Sequence, residues 1–264
     1  GEADRLAIVL FDHEAEVLLP TTPVTNPAAV HEAIDSIGTR GSTDMAAGLR
    51  EGFAQVGKNA GVPGVQDRVM LFTDAMVNSG TTDEQSFVAL AREHAQRGIG
   101  LSLFGVGLDL NQSLVLAITK LRGGTYSFLS DAAKISTLFD ADFDLMVTPV
   151  AYDVEFVLEA KPGFWVREVY GGVYEGERSV HILVPTLFLS RGHGALVVRL
   201  ATDGASLSER PPLAELSLKY VRPATGEVVT DSVLQTWTSD QPIGGAAFYS
   251  QPGVRKTVAV LNAG

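Results

Sequence analysis

The segment from Arg68 to Asp74 constrains the fold more than any other part of the chain. It opens with a basic residue, continues through four apolar residues, Val69 to Phe72, and ends in Thr73 and Asp74. An uninterrupted apolar run is typical of a strand that is buried on both faces, as in a parallel sheet. The sequence therefore predicts a parallel strand that presents the Asp74 carboxylate at its carboxyl end, the edge at which open α/β sheets bind ligands.

A second polar stretch lies upstream, where Gly41 is followed by Ser42, Thr43 and Asp44 and then by the apolar pattern of a helix. If the two stretches are neighbours in the fold, the Thr43 hydroxyl and the Asp74 carboxylate offer oxygen ligands to one point. Magnesium favours such oxygens, through one or two carboxylates and several waters. Thr43 and Asp74 are thus the predicted metal ligands.

The same residues also have structural interpretations. Thr43, or Ser42 in its place, can cap the helix that begins near Asp44, and Asp44 in the first turn would complement the helix dipole. Asp74 can cap the turn that follows its strand. Ser42, Asp44 and Thr73 are therefore predicted to support or shape the site rather than to bind the ion.

The first part of the chain alternates strand and helix patterns, which indicates a parallel, doubly wound sheet. A hairpin is predicted over residues 5–19, and an Asn26 cap with Pro27 in the first turn begins a helix. The remaining predicted strands are 69–72, 99–106 and 124–129, and the remaining helices are 44–56, one capped by Asp83, 111–121 and a closing helix over 131–146.

Beyond Met146 the pattern changes to a period of two, which indicates half-buried antiparallel strands. The predicted strands are 150–158, 164–169, 179–183, 194–200, 213–221 and 228–233, and their spacing suggests a β-sandwich. The predicted domains are an α/β domain over 1–146, a β-sandwich-like module over 147–250, and the start of a possible helix over 251–264.

Composition excludes several function classes. A net charge of −11 and a pI near 4.9 oppose binding to nucleic acid. The chain has no cysteine, so it can form neither disulfides nor thiolate sites. No apolar run approaches the length of a membrane span, and no nucleophile elbow or zinc-spaced histidine pair is present. The chain is therefore predicted not to be an enzyme, and its compartment stays open.

These segments resemble the von Willebrand factor A (vWA) domains of bacterial proteins that carry a β-rich module after the vWA domain. The resemblance rests on Leu6 to Asp12, Gly41 to Thr43, Val69 to Asp74, residues 99–107 and Gly123 to Tyr126. It implies a doubly wound sheet and a metal-ion-dependent adhesion site built from a DxSxS motif after the first strand, a threonine and an aspartate. Thr43 and Asp74 match the last two ligands.

No DxSxS motif occurs in the 264 residues. The resemblance therefore implies a vWA domain that lacks its first strand, because the chain begins after the motif. The implied ion is magnesium, or manganese or calcium in its place, and this fragment is not expected to hold it without the missing strand.

Two functions follow from the resemblance. The first is a non-enzymatic adhesion module that binds, through the metal, an exposed acidic residue of a protein partner. The alternative is a scaffold protein whose metal site is vestigial and whose β-module makes the contacts. The Asp74→Ala substitution discriminates between them, because retained partner affinity would favour the scaffold.

Overall fold

The computed structural model describes residues 4–38, 44–74, 81–106, 112–170, 176–191, 196–202, 204, 206–238, 254–255 and 258–259. The chain forms two compact units. The first comprises Gly1–Tyr152, Pro185–Leu189 and Pro223–Thr225, and the second comprises Asp153–Val184, Ser190–Arg222 and Gly226–Gly264. The predicted helix near the carboxyl terminus lies mostly outside the described residues.

The first unit contains most of the helices and the parallel sheet. Its elements are β1 (Arg5–Phe11), β2 (Ala15–Pro23), α1 (Pro27–Asp35), α2 (Met45–Gly57), β3 (Arg68–Thr73), α3 (Thr81–Gln96), β4 (Gly100–Val106), α4 (Gln112–Thr119), β5 (Gly124–Leu129), α5 (Ala132–Ser136), a π-helical turn (Thr137–Ala141) and α6 (Phe143–Val147). Helix α3 begins at Thr81, so Asp83 lies inside its first turn and does not precede the helix as predicted.

Strands β3, β4 and β5 form a parallel sheet in that order, with Phe72 aligned to Phe104 and Phe104 to Ser127. This confirms the α/β prediction. Branched aliphatic side chains of β3 and β4 pack against helices on one face, because alternate residues of a strand point to the same face. The buried cluster is Met45, Leu49, Phe53, Val69, Leu71, Phe87, Val88, Ala91, Ile99, Leu101, Leu103, Leu114, Ile118 and Leu121.

The β1–β2 hairpin is a separate sheet. Among the described residues, β1 pairs with β2 alone and β3 pairs with β4 alone, so each leaves one backbone edge without a partner. Helix α2 contacts both sheets: the Thr21 hydroxyl of β2 donates to the Gln55 carbonyl at 2.8 Å, and Gly52 lies against Val69 of β3. Helix α2 therefore packs against β2 and β3, which belong to two sheets that are not hydrogen-bonded to each other among the described residues.

The predicted closing helix is wrong as a single helix. Residues 132–147 form two short α-helices with a π-helical turn between them, and Asp142 leaves the helical conformation at φ −114° and ψ 7°. The wider turn lets the neighbouring residues Leu138 and Phe139 both pack on the Phe104 and Met146 cluster. A regular α-helix separates successive side chains by about 100° of rotation, so packing of both residues favours the irregular turn.

The second unit is built from antiparallel strands. Its elements are β6 (Pro149–Ala160), β7 (Phe164–Tyr170), β8 (Ser179–Phe188), β9 (Val197–Thr202), a 3₁₀ turn (Leu207–Glu209), β10 (Pro212–Val221) and β11 (Val228–Thr236); β6 begins and β8 ends within the first unit. One sheet has the order β11-β10-β6-β8, and β7 pairs with β9. Side chains of both sheets share one buried cluster, which confirms the β-rich module, whereas its sandwich geometry stays a prediction.

Candidate metal site at the carboxyl edge of the sheet

The predicted ligand Asp74 directly follows β3 and is exposed to solvent. Thr73, before it, is buried. This difference follows from the alternation of the strand, which turns Thr73 towards the packed face of the sheet. Thr73 therefore fixes the end of the strand, and Asp74 presents a carboxylate to solvent at the carboxyl edge.

The other predicted ligand, Thr43, lies outside the described residues, as does Ser42. Their neighbour Asp44 is described and caps helix α2: its Oδ1 accepts a hydrogen bond from the Ala47 amide at 2.9 Å. The prediction that Thr43 or Ser42 caps this helix, with Asp44 in the first turn, is therefore wrong. The Asp44 carboxylate occupies the cap because it lies three residues before an otherwise unpaired amide.

Asp12, at the tip of the β1–β2 hairpin, contacts Asp44, and the sequence analysis did not predict this contact. Its carbonyl accepts a hydrogen bond from the Asp44 amide. Its carboxylate is buried, accepts the Glu14 amide at 3.0 Å and lies 2.8 Å from Nδ1 of His13. The sequence feature that could have indicated a role for Asp12 is its position directly after an apolar strand, which it shares with Asp74. Asp12 therefore holds the backbone one residue beyond Thr43.

Gly48 allows α2 to lie directly on the hairpin. A Cβ atom built at Gly48 would lie 2.6 Å from Cγ of Phe11 and 2.9 Å from its Cβ. We expect Gly48→Ala to lower the free energy of unfolding by about 1–3 kcal/mol, because the ring cannot withdraw without moving β1. Urea unfolding measures the loss. Its control is the same substitution in a Phe11→Ala background, which removes the Cγ and Cδ1 atoms that the new Cβ would meet, so most of the loss should disappear; an unchanged loss would contradict the steric explanation.

Arg68, at the opposite end of β3, is a half-buried cation that bonds to the neighbouring strand. Its Nη1 donates to Ser102 Oγ at 2.8 Å and to the Gly123 carbonyl at 3.0 Å, and the guanidinium lies 5.3 Å from the centre of the Phe188 ring. Burial lowers the pKa of Arg68 to about 10. This charge belongs to the amino edge of the sheet, and Asp74 belongs to the carboxyl edge.

A cleft of about 360 Å³ also lies away from Asp74. Phe53, Gly57, His94 and Arg97 line it, together with Ile99, which precedes β4. The His94 ring stacks on Phe53 at 4.0 Å, and its Nδ1 lies 3.0 Å from the Leu90 carbonyl. The shape of this cleft thus arises from packing at the amino edge of the sheet, and it does not include the predicted ligands.

The described residues agree with a hard cation in the kind of donor but do not complete its site. Asp74 supplies an accessible carboxylate, and oxygen donors of this type suit magnesium. Within the described ranges, no group of three or more His, Asp or Glu side chains is placed to hold a metal. Thr43, the other predicted oxygen ligand, lies outside the described residues.

Comparison with known proteins agrees with the α/β fold of the first unit. The sequence profile of the von Willebrand factor type A domain matches residues 1–141. The chain belongs to the von Willebrand factor A family. The vWA fold is also that of a solved structure, von Willebrand factor type A from Catenulispora acidiphila, which aligns with a TM-score of 0.54 at 15% identity over 91% of this chain and 59% of that one.

Two curated relatives extend the likeness to sequence. The protein YfbK of Escherichia coli is 30% identical over 168 residues, 63% of this chain and 29% of YfbK. The protein sll0103 of Synechocystis is 27% identical over 164 residues, 61% of this chain and 37% of sll0103. The match thus spans about a third of each relative's length. Among the residues described for this vWA protein, no helix is both long and apolar enough to cross a membrane.

Proposed function

We propose that this chain is the partner-binding part of a vWA protein and engages a protein through a divalent cation at the carboxyl edge of the sheet. Thr43 and Asp74 would hold the ion together with a DxSxS segment. The observation that carries the proposal is the exposed Asp74 carboxylate at the end of β3, a strand that pairs on one edge only among the described residues. The proposed role is non-enzymatic.

In the part of the chain that the structure describes, β1 and β3 each keep one edge without a partner, which supports the supply of that segment as an additional strand. Both strands contact α2. The Phe72 side chain of β3 is 47% exposed, although its ring stacks on the fully buried Phe104 ring with centroids 4.6 Å apart. An apolar ring of this size is seldom left open at the edge of a sheet unless another element covers it. A strand beside β3 would cover Phe72 and bring its own ligands to the edge that bears Asp74.

The charge of the chain supports an acidic partner that is recognised through the metal. With a net charge of −11, the protein surface repels carboxylates. A divalent cation held by few charged ligands keeps positive charge and an open position, so it supplies attraction locally. When bound, magnesium would thus act as an electrostatic link between Asp74 and a partner carboxylate, while Thr43 contributes a neutral oxygen.

We expect Asp74→Asn to weaken manganese and magnesium binding at least about 100-fold in the protein that includes the DxSxS strand. Substitutions in the second shell of a metal site already cost about 10–100-fold, and Asp74 would be a direct ligand. Isothermal titration calorimetry measures the change. The present 264 residues should bind the ions only weakly, because part of the ligand set is absent from them.

Asp67→Asn is the matched control, since Asp67 precedes the same strand at its amino edge and accepts the Gly61 amide at 2.8 Å. It should leave metal affinity unchanged. Equal affinity in the Asp74 variant and the unmodified protein would overturn the metal site. Partner binding that survives Asp74→Asn would instead favour the scaffold role through the β-module.

A further inference from the structure

The edge strand β11 presents a nine-residue backbone that is open to another strand. It pairs antiparallel with β10 from Val228 to Thr236, and within the part of the chain that the structure describes it has no second neighbour. Its sequence has no proline or basic residue and a single charge, Asp231. Long edge strands in natural proteins are usually covered, broken by proline or charged, so an edge of this kind suggests a partner strand.

The hydrogen bonds at both ends of the hairpin show which residues face the open edge. The Glu227 carbonyl accepts the Arg222 amide at 2.9 Å, and the Trp237 amide donates to the Pro211 carbonyl at 3.0 Å. Odd-numbered residues therefore bond towards β10, and even-numbered residues turn their backbone groups outward. The Ser232 amide agrees, because it bonds to Oδ1 of Asp231 at 2.8 Å.

Apolar side chains are exposed on both faces of this strand. Val233 is 57% exposed on one face, and Val228 and Leu234 are 56% and 52% exposed on the other. Alternation along the strand puts odd and even residues on opposite faces. A strand added at the edge would cover apolar surface above and below the sheet while it satisfies the outward backbone groups.

We propose that β11 pairs antiparallel with β11 of a second copy, with the twofold axis at Val233. The outward residues then exchange backbone hydrogen bonds, Ser232 with Leu234 and Thr230 with Thr236 of the second copy. Val233 faces its own counterpart in a pair without backbone hydrogen bonds, in which side chains approach most closely. The inference is independent of the metal site, which lies in the first unit.

Two polar residues select this register. Asp231 Oδ1 and Gln235 Nε2 now bond to their own strand, to the Ser232 amide at 2.8 Å and to the Thr236 carbonyl at 3.1 Å. In the dimer, the Ser232 amide and the Thr236 carbonyl bond to the backbone of the second copy instead. Asp231 then faces Gln235 of the second copy, a carboxylate acceptor opposite an amide donor. An axis at Asp231 would instead oppose two carboxylates, which is unfavourable.

Cysteine cross-linking tests the axis directly, because the chain has no native cysteine. In an antiparallel pair without backbone hydrogen bonds the Cα atoms lie about 4.5 Å apart, a separation that a disulfide spans. We expect Val233→Cys to form a covalent dimer under mild oxidation at least about tenfold faster than the collision control Val65→Cys, which is exposed in the first unit. Ser232→Cys, which does not face itself, should cross-link more slowly than Val233→Cys.

Cross-linking of Val233→Cys no faster than that of Val65→Cys would overturn the dimer. Faster cross-linking of Ser232→Cys would overturn the register.

Sedimentation equilibrium provides a second measurement on the 264-residue chain. Leu234→Pro removes an outward amide and no hydrogen bond to β10, so the monomer should keep its circular dichroism spectrum while the dimer dissociates at least about tenfold more readily. Because each copy carries a net charge of −11, added salt should strengthen association of the unmodified protein. A monomer at every concentration, or a dimer indifferent to Leu234→Pro, would overturn the proposal.

Discussion

Replacing Gly124 by alanine is expected to lower the free energy of unfolding by about 3 kcal/mol or more, enough to unfold a marginal domain. A Cβ atom at this position would lie 2.0 Å from the Ile118 carbonyl oxygen and 3.1 Å from the Leu121 carbonyl oxygen. Both are backbone atoms, so no side-chain rotation relieves the contact. Gly124 also begins β5 and donates its amide to Leu121 at 3.0 Å, which fixes its position.

Gly57→Ala is the matched control for this prediction. Gly57 ends helix α2, and a Cβ atom there meets no atom within 4 Å. Alanine should therefore change stability little, or raise it by about 0.4–1 kcal/mol through the lower entropy of the unfolded chain. Urea denaturation monitored by circular dichroism compares the two variants, and similar midpoints would contradict the steric explanation.

Leu114→Ala is expected to lower the free energy of unfolding by about 2–5 kcal/mol, because it removes a buried side chain and leaves a cavity. Leu114 lies on α4, is 0% exposed and belongs to the cluster that covers one face of the parallel sheet. The loss should appear as a lower urea midpoint with an unchanged slope, which indicates a change in stability without a change in the surface exposed on unfolding.

The same helix supplies the control, since Leu116 lies two residues further along α4 and is 52% exposed. Leu116→Ala removes the same atoms and has the same effect on helix propensity, but it should alter stability by no more than about 0.5 kcal/mol. Equal losses in the two variants would mean that Leu114 contributes through the helix alone and not through the core.

The parallel sheet could be predicted because the apolar composition of its strands by itself indicates that they are buried. Val69 and Leu71 on β3, and Leu101 and Leu103 on β4, are apolar whatever their neighbours, and both strands are found where the sequence places them. The exposed position of Asp74 follows equally from its place at the end of such a strand. Strand burial and the position of Asp74 both depend on residues that are adjacent in sequence, so the sequence alone suffices to predict them.

The cap of α2 and the course of the closing segment could not be predicted in the same way. Ser42, Thr43 and Asp44 are all good capping residues, so the sequence does not select one of them. In the structure Asp44 is the cap, and its amide also donates to the carbonyl of Asp12, a residue distant in sequence. Over residues 131–146 the helical pattern is clear, but Leu138 and Phe139 pack on the same cluster and widen the turn. Both outcomes depend on residues that are distant in sequence.

The sequence by itself determined the α/β and β-rich halves, the polar carboxyl edge of β3 and the exclusion of thiol chemistry, because periodicity and residue type suffice for these. Only the tertiary structure decided that β1 and β3 lie in separate sheets that both contact α2, and that even-numbered residues of β11 face an edge with no partner among the described residues. The physical reason is that strand pairing is a long-range hydrogen-bond pattern. The same apolar residues are compatible with several neighbours, and packing against α2 and β10 selects among them.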